Sequence, residues 1–144
     1  MADLSLIKST DRVIEVMHPG TGEPIGIRVT LVSVEDETLS KVKRNITNRS
    51  LELRQRGKHF KADELEDNKQ TVLWSAMKGW EWYNPTGKSG DESFDADAMP
   101  NVGGEVPEFN QRNVKSMLGL TWFSNQIEEA VDDTKAFFLI SKPI

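Results

Sequence analysis

The chain has 144 residues, 37% of them hydrophobic, and a formal net charge of -5 from 18 basic and 23 acidic side chains. That length supports one hydrophobic core, in which folding buries roughly two thirds of the surface that the unfolded chain exposes. The acidic balance argues against a chain given over to nucleic-acid binding. The lack of cysteine excludes disulfides, thiolate nucleophiles and cysteine zinc sites, and two histidines leave little for any metal.

No apolar run approaches the ~20 residues of a membrane helix, and the first residues carry Asp3, Lys8 and Asp11 where a signal peptide has its apolar core. The expectation is a soluble, intracellular protein. Residues 1–11 read as a loose, flexible end without chemistry. Arg12 to His18 alternates imperfectly and Ile25 to Val32 more cleanly, and both are rich in β-branched side chains, which predicts two strands. Pro19-Gly20-Thr21-Gly22-Glu23-Pro24 between them has loop chemistry, so residues 12–32 are expected to form an antiparallel hairpin. A phosphate-binding loop would need a helix directly behind these glycines, and a strand follows instead.

Ser33, followed by Glu35, Asp36 and Glu37, predicts a capped helix start, and Gly57 marks its end. Leu39, Val42, Ile46 and Leu53 form a narrow apolar stripe. The rest of the helix and its end are basic: Lys41, Lys43, Arg44, Arg49, Arg54, Arg56, Lys58 and Lys61 stand against Glu52 alone. Lys41, Arg44, Arg49, Arg54 and Arg56 are therefore candidate electrostatic contacts, to phosphates or to an acidic segment. No aromatic residues interleave with them as a nucleic-acid platform would require, so a solvated helix face is the competing reading. His59, isolated beside Phe60, reads as surface or structural.

A second helix is expected from Ala62 to about Trp82, with Asp63 and Glu64 in its first turn and Leu65, Val72, Leu73, Ala76, Met77 and Trp80 on one side. Residues 33–83 would then be a helix pair. Trp74, Trp80, Trp82 and Tyr83 make its end aromatic, which suits either core packing or a protein interface.

Residues 84–109 are rich in proline and glycine and, from Asp91 onward, in acids, which predicts a long acidic loop lying over the basic helix. Two motifs within it fail. Gly87-Lys88-Ser89 imitates a nucleotide-binding loop, but the required first glycine is Trp82. Asp91, Ser93, Asp95 and Asp97 imitate a calcium loop, but its turn glycine is Ala96 and its bidentate glutamate is Val102. No metal, cofactor or catalytic residue is expected.

Residues 110–138 carry the densest apolar periodicity and are expected to form two short helices. Asn110 is a candidate N-cap, with Phe109 and Val114 at the spacing of a hydrophobic staple, and Val114, Met117 and Leu118 share a face. Gly119 interrupts the pattern and Thr121 can cap a second helix. Phe123, Ile127, Ala130, Thr134 and Phe137 then recur at steps of three and four.

The succession of Asp11 to Ile27, a helix pair ending at Trp80, Trp122-Phe123-x-x-Gln126-Ile127 and Asp133-x-x-x-Phe137 resembles the tail assembly chaperones of long-tailed bacteriophages. It covers most of the chain outside residues 84–108. The chain departs from that family's pattern by its long acidic loop and by Thr134, where an arginine is usual. The resemblance implies a non-enzymatic protein of the host cytoplasm that self-associates, binds the helical tape measure protein, brings tail tube subunits to it and is absent from the finished virion. A structural tail or neck component, retained in the virion, would use similar apolar contacts permanently.

A helical apolar stripe docks into a groove, and the expected groove residues are Trp82, Trp122, Phe123, Ile127, Phe137 and Phe138, with core packing as the alternative for each. The fold expectation is one α+β domain over residues 1–144, mainly α-helical: an N-terminal hairpin, about four helices and the acidic loop.

Overall fold

The computed structural model describes residue 4 and residues 7–85 and 100–138. Strands β1 (Arg12–Met17) and β2 (Pro24–Leu31) form the expected antiparallel hairpin, with Ile14 opposite Val29 and Arg12 opposite Leu31. Helices α1 (Glu37–Gln55) and α2 (Ala62–Ala76) follow. A third strand, β3 (Met77–Trp82), then returns antiparallel to β2, giving the sheet order β1-β2-β3. Two short helices, α3 (Gln111–Leu118) and α4 (Thr121–Asp132), and a 3-10 turn at Thr134–Phe137 complete the α+β fold.

Strand β3 corrects the expectation that α2 runs to Trp82. From Gly79 onward the alternation is of period two, so Trp80 and Trp82 point inward opposite Val29 and Ile27 while Glu81 points outward opposite Arg28. A register irregularity between Thr30 and Leu31 absorbs Lys78 and lets Met77 face Leu31. Helical spacing of Ala76, Met77 and Trp80 concealed this switch of period, and the two tryptophans gain more by lining the sheet than by prolonging a helix.

The helix ends are also specific. Asp36 caps α1 by accepting the Leu39 N–H at 2.9 Å, whereas Ser33, the expected cap, accepts from Glu35 and gives its own N–H to Asp11. Gly57, at φ +69°, closes α1 with bonds from Gly57 N to Arg54 O and from Lys58 N to Leu53 O, the paired pattern that a left-handed residue permits. Asn110 caps α3 as expected, by accepting from Asn113 N at 2.9 Å. Thr121 does not cap α4; it is the first helical residue after Leu120. Helix α4 stops at Asp132, so Thr134 and Phe137 lie on the tighter turn beyond it.

Residues 7–11 are tied down, contrary to the loose end expected. Ser9 pairs with Phe138, Thr10 N donates to Phe137 O at 2.6 Å, and the Ser9 and Ser33 hydroxyls are hydrogen-bonded. Asp11 meets Lys78 Nζ at 2.8 Å. That bond, followed by the one from the Ser33 backbone, holds the Asp11 carboxyl below its ordinary value.

The core lies between the inner sheet face and α3 and α4. Val16, Ile27, Val29 and Leu31 from the sheet meet Val114, Leu118, Phe123, Ile127 and Phe137 from the C-terminal elements. Trp74, Trp80 and Phe109 extend it, with ring centroids 5.2 to 5.5 Å apart, and Trp80 Nε1 donates to Pro107 O at 3.1 Å. The residues of the 84–109 segment nearest α3 are thus anchored. Residues 86–99, where the two failed motifs mostly fall and the masking of α1 was expected, lie outside the described residues.

At Gly26, φ is +98° and a Cβ would sit 2.2 Å from Tyr83 O, with Pro85 and Pro100 at 2.9 Å. Only glycine lets the Gly26 carbonyl accept the Tyr83 N–H at 2.7 Å. Gly26→Ala is expected to lower stability by about 2–4 kcal/mol, measured as a shift in the urea midpoint. A midpoint equal to wild type would contradict this close approach.

Candidate functional site

The residues expected to form a partner groove divide between core and margin. Phe123 and Ile127 on α4 and Phe137 on the turn beyond it are fully buried within this one subunit. They are core, because the inward faces of β1 and β2 need their volume. Trp82 and Trp122 are half-buried against the same core, Trp122 edge-on to Phe123 at 6.1 Å. Phe138 is half-buried, and its backbone pairs with Ser9. Phe123, Ile127 and Phe137 thus close the fold, while Trp82, Trp122 and Phe138 stay at its margin.

The motif residues behind the resemblance have a structural role of their own. Gln126 on α4 turns its amide onto β1: its Oε1 accepts the Met17 N–H at 2.7 Å and its Nε2 donates to Met17 O at 2.8 Å. It thereby supplies, from a side chain, the two bonds that a neighbouring strand would give. At the other end of β1, Arg12 donates to Ala130 O at 3.3 Å, lies 3.7 Å from Asp133 and stands 6.0 Å from the Phe137 ring centroid. A cation there also suits the negative end of α4. A cleft of about 280 Å³ remains between these two clasps, lined by Arg12, Glu15, Gln126, Glu129 and Asp133 among others. It holds carboxylates and an engaged guanidinium, with no nucleophile beside them.

On the outer sheet face, Arg28 Nε donates to Glu15 at 2.7 Å, Tyr83 Oη donates to Glu15 at 2.5 Å, and the guanidinium stacks on the Tyr83 ring at 4.0 Å. Burial, then the bond to Glu15, pushes the Tyr83 hydroxyl pKa up. These groups satisfy one another and tie three strands together. Among the described residues, no group of three or more acidic or histidine side chains could hold a metal ion, and no helix is long and apolar enough to cross a membrane.

Among the described residues, an open surface with exposed leucines lies on α1 and α2. Beyond Leu39, only Leu53 of α1 is buried, so the far part of the helix pair projects from the body as an arm. Along it run two clefts of about 320 Å³ each that meet at Ile46 and Leu65. One is walled by Val72 and Leu73 of α2 and Val131 of α4, the other by Leu51 and Phe60. Leu51 is 49% exposed and Leu65 56% exposed, large apolar side chains left uncovered by the described residues.

The α1 wall is a single helical face: Lys43, Ile46, Thr47, Ser50, Leu51 and Arg54 follow at i, i+3, i+4, i+7, i+8 and i+11. Of the expected electrostatic residues, Arg54 lines this groove, Arg49 pairs with Glu52 at 3.2 Å, Lys41 and Arg44 are exposed elsewhere on α1, and Arg56 is exposed just past its end. The groove was missed in the sequence because Leu39, Val42, Ile46 and Leu53 account for one stripe. Leu51 lies off that stripe, and this displacement was the available signal.

Comparison with protein-family models, curated proteins and solved structures finds no match to this chain. The division between core and groove can be tested directly. Phe123→Ala is expected to cost about 3–5 kcal/mol and Leu65→Ala less than about 1 kcal/mol in chemical denaturation. Comparable losses at both positions would show that Leu65 is a core residue.

Proposed function

We propose that this chain is a non-enzymatic binding protein that captures an apolar helical segment. It would act as a phage tail assembly chaperone that holds the tape measure protein and brings tail tube subunits to it. The observation that carries this reading is the groove along α1 and α2, whose length and apolar floor suit a helix presenting anchors at i, i+3, i+4 and i+7. The resemblance in β1, α4 and the turn beyond it supplies the tape measure as the partner class. Those motif residues support the reading indirectly, since they hold the body from which the arm projects.

A chaperone of this kind acts in the host cytoplasm during assembly and leaves before the virion is complete. Its groove must therefore hold a client without embedding it permanently, and an open cleft on an exposed arm is suited to that. Self-association belongs to the same proposal, because several copies would be needed along a long tape measure.

The test is co-purification with the tape measure and tail tube proteins encoded beside the gene, with finished particles assayed in parallel. Wild type is expected to retain the tape measure protein at high salt and to be missing from particles. The double variant Leu51→Asp, Leu65→Asp is expected to keep its helical circular dichroism and lose at least about tenfold in tape measure binding. Presence in particles at fixed copy number would make the chain a retained structural component instead. Unchanged capture by the double variant would place the contact elsewhere.

A further inference from the structure

Resting on that reading of the groove, the geometry points to the chemistry of its occupant: an amphipathic helix with acidic side chains on the flank that faces α1 and a hydrogen-bond acceptor near its middle. The argument starts from the charges on the two walls. The α1 wall offers only cations, Lys43 and Arg54, at either end of the stripe. Eleven residues separate them, so on a helix rising 1.5 Å per residue they stand about 16 Å apart. An antiparallel or parallel helix in the groove would match them with two carboxylates about three turns apart on one face.

The opposite wall differs. Lys69 of α2 and Glu128 of α4 neutralise each other at 2.9 Å, a contact that raises the lysine pKa. Asp132 is the other acid in the lining. The side toward α1 thus favours acids, and Lys41 to Lys61 holds eight cations in all, Lys43 and Arg54 included, against Glu52 alone, a field that draws an acidic segment in.

The acceptor follows from Asn68. Its side-chain Nδ2 lies out of solvent at the lining of the cleft walled by Val72 and Val131 and, among the described residues, has no hydrogen-bond partner. A buried donor left unsatisfied is costly. Of the acceptors in the lining, Glu128 is engaged by Lys69, and neither it nor Asp132 accepts from Asn68. A carbonyl or carboxylate oxygen on the occupant would, once the Asn68 side chain turns its amide from that position into the cleft.

A second copy of the chain is a poorer occupant among the described residues. Its acidic helix α4 already buries Phe123, Ile127, Ala130 and Val131 in its own core. The occupant is therefore a segment of another protein, and in the function proposed above it is an acidic stretch of the tape measure helix.

The test uses the full chain and three synthetic helical peptides of about five turns, followed by fluorescence anisotropy. The first carries apolar anchors at i, i+3, i+4 and i+7, two glutamates eleven residues apart and a central glutamine. The second replaces both glutamates with lysine, and the third replaces the glutamine with leucine. The glutamate peptide is expected to bind about tenfold tighter than the lysine peptide at low salt, and Lys43→Glu with Arg54→Glu is expected to reverse that order. Asn68→Leu is expected to remove the preference for glutamine over leucine, while circular dichroism shows that each variant is folded.

Equal binding of the glutamate and lysine peptides would overturn this inference and leave helix capture standing. Failure of all three peptides to bind would overturn the groove reading itself. Binding to the charge-reversed variant in the same order as to wild type would show that Lys43 and Arg54 do not read the occupant.

Discussion

The structure depends on the contact between one helix and one edge strand. Helix α4 fills the core from its inner side with Phe123 and Ile127, and the same helix grips β1 at both ends, through Gln126 on Met17 and through Arg12 on Ala130 and Asp133. The apolar face supplies most of the energy, since full burial of such side chains contributes about 1.5–3 kcal/mol each. The polar clasps add less but determine which register β1 and α4 take. Satisfying the backbone groups of Met17 with a side-chain amide also blunts an edge that would otherwise be open to another strand.

Fixing α4 in this way determines what the rest of the chain can do. The hairpin, β3 and both C-terminal helices spend their apolar residues on a single interior, and Trp80, Trp82 and Phe109 close its flank. Helix α1, lying across α2, has little of that interior left to cover. The far part of the pair is left as an arm, rich in cations on α1 and with Leu51 of α1 and Leu65 of α2 exposed. Such an arm has few buried contacts and belongs to the low-stability end of a fold, where binding elements are commonly found. The body closes its own core, and under the proposed function the arm is where a partner adds most.

Much of this was legible in the residues. Alternation in Ile25 to Val32, the loop that opens at Pro19, Gly57 as a helix stop and Asn110 as the cap of α3 all act locally, and local chemistry decided them. Strand β3 was not legible, because Ala76, Met77 and Trp80 fit helical spacing as well as they fit a strand that begins with a bulge. Only the waiting edge of β2 resolves the choice. Cap positions were misplaced by one to three residues where two candidates competed, as Ser33 did with Asp36. Among the site residues, chemistry suggested aromatic anchors, yet aromatic side chains serve core and interface equally well. Phe123, Ile127 and Phe137 went to the core because α4 is the element that closes it. The exposed aliphatic residues Leu51 and Leu65 carried a weaker signal, since single exposed leucines are ordinary until the fold sets them beside one another.

The most direct test of this account is amide hydrogen exchange of the chain, free and with the tape measure protein bound, read residue by residue. Protection gained along residues 43–54 and 60–73, with little change at Trp122, Phe123 and Phe137, is the result predicted, because the arm receives the client while the α4 core is already closed. New protection centred on the C-terminal aromatic residues, with the arm exchanging as before, would contradict it.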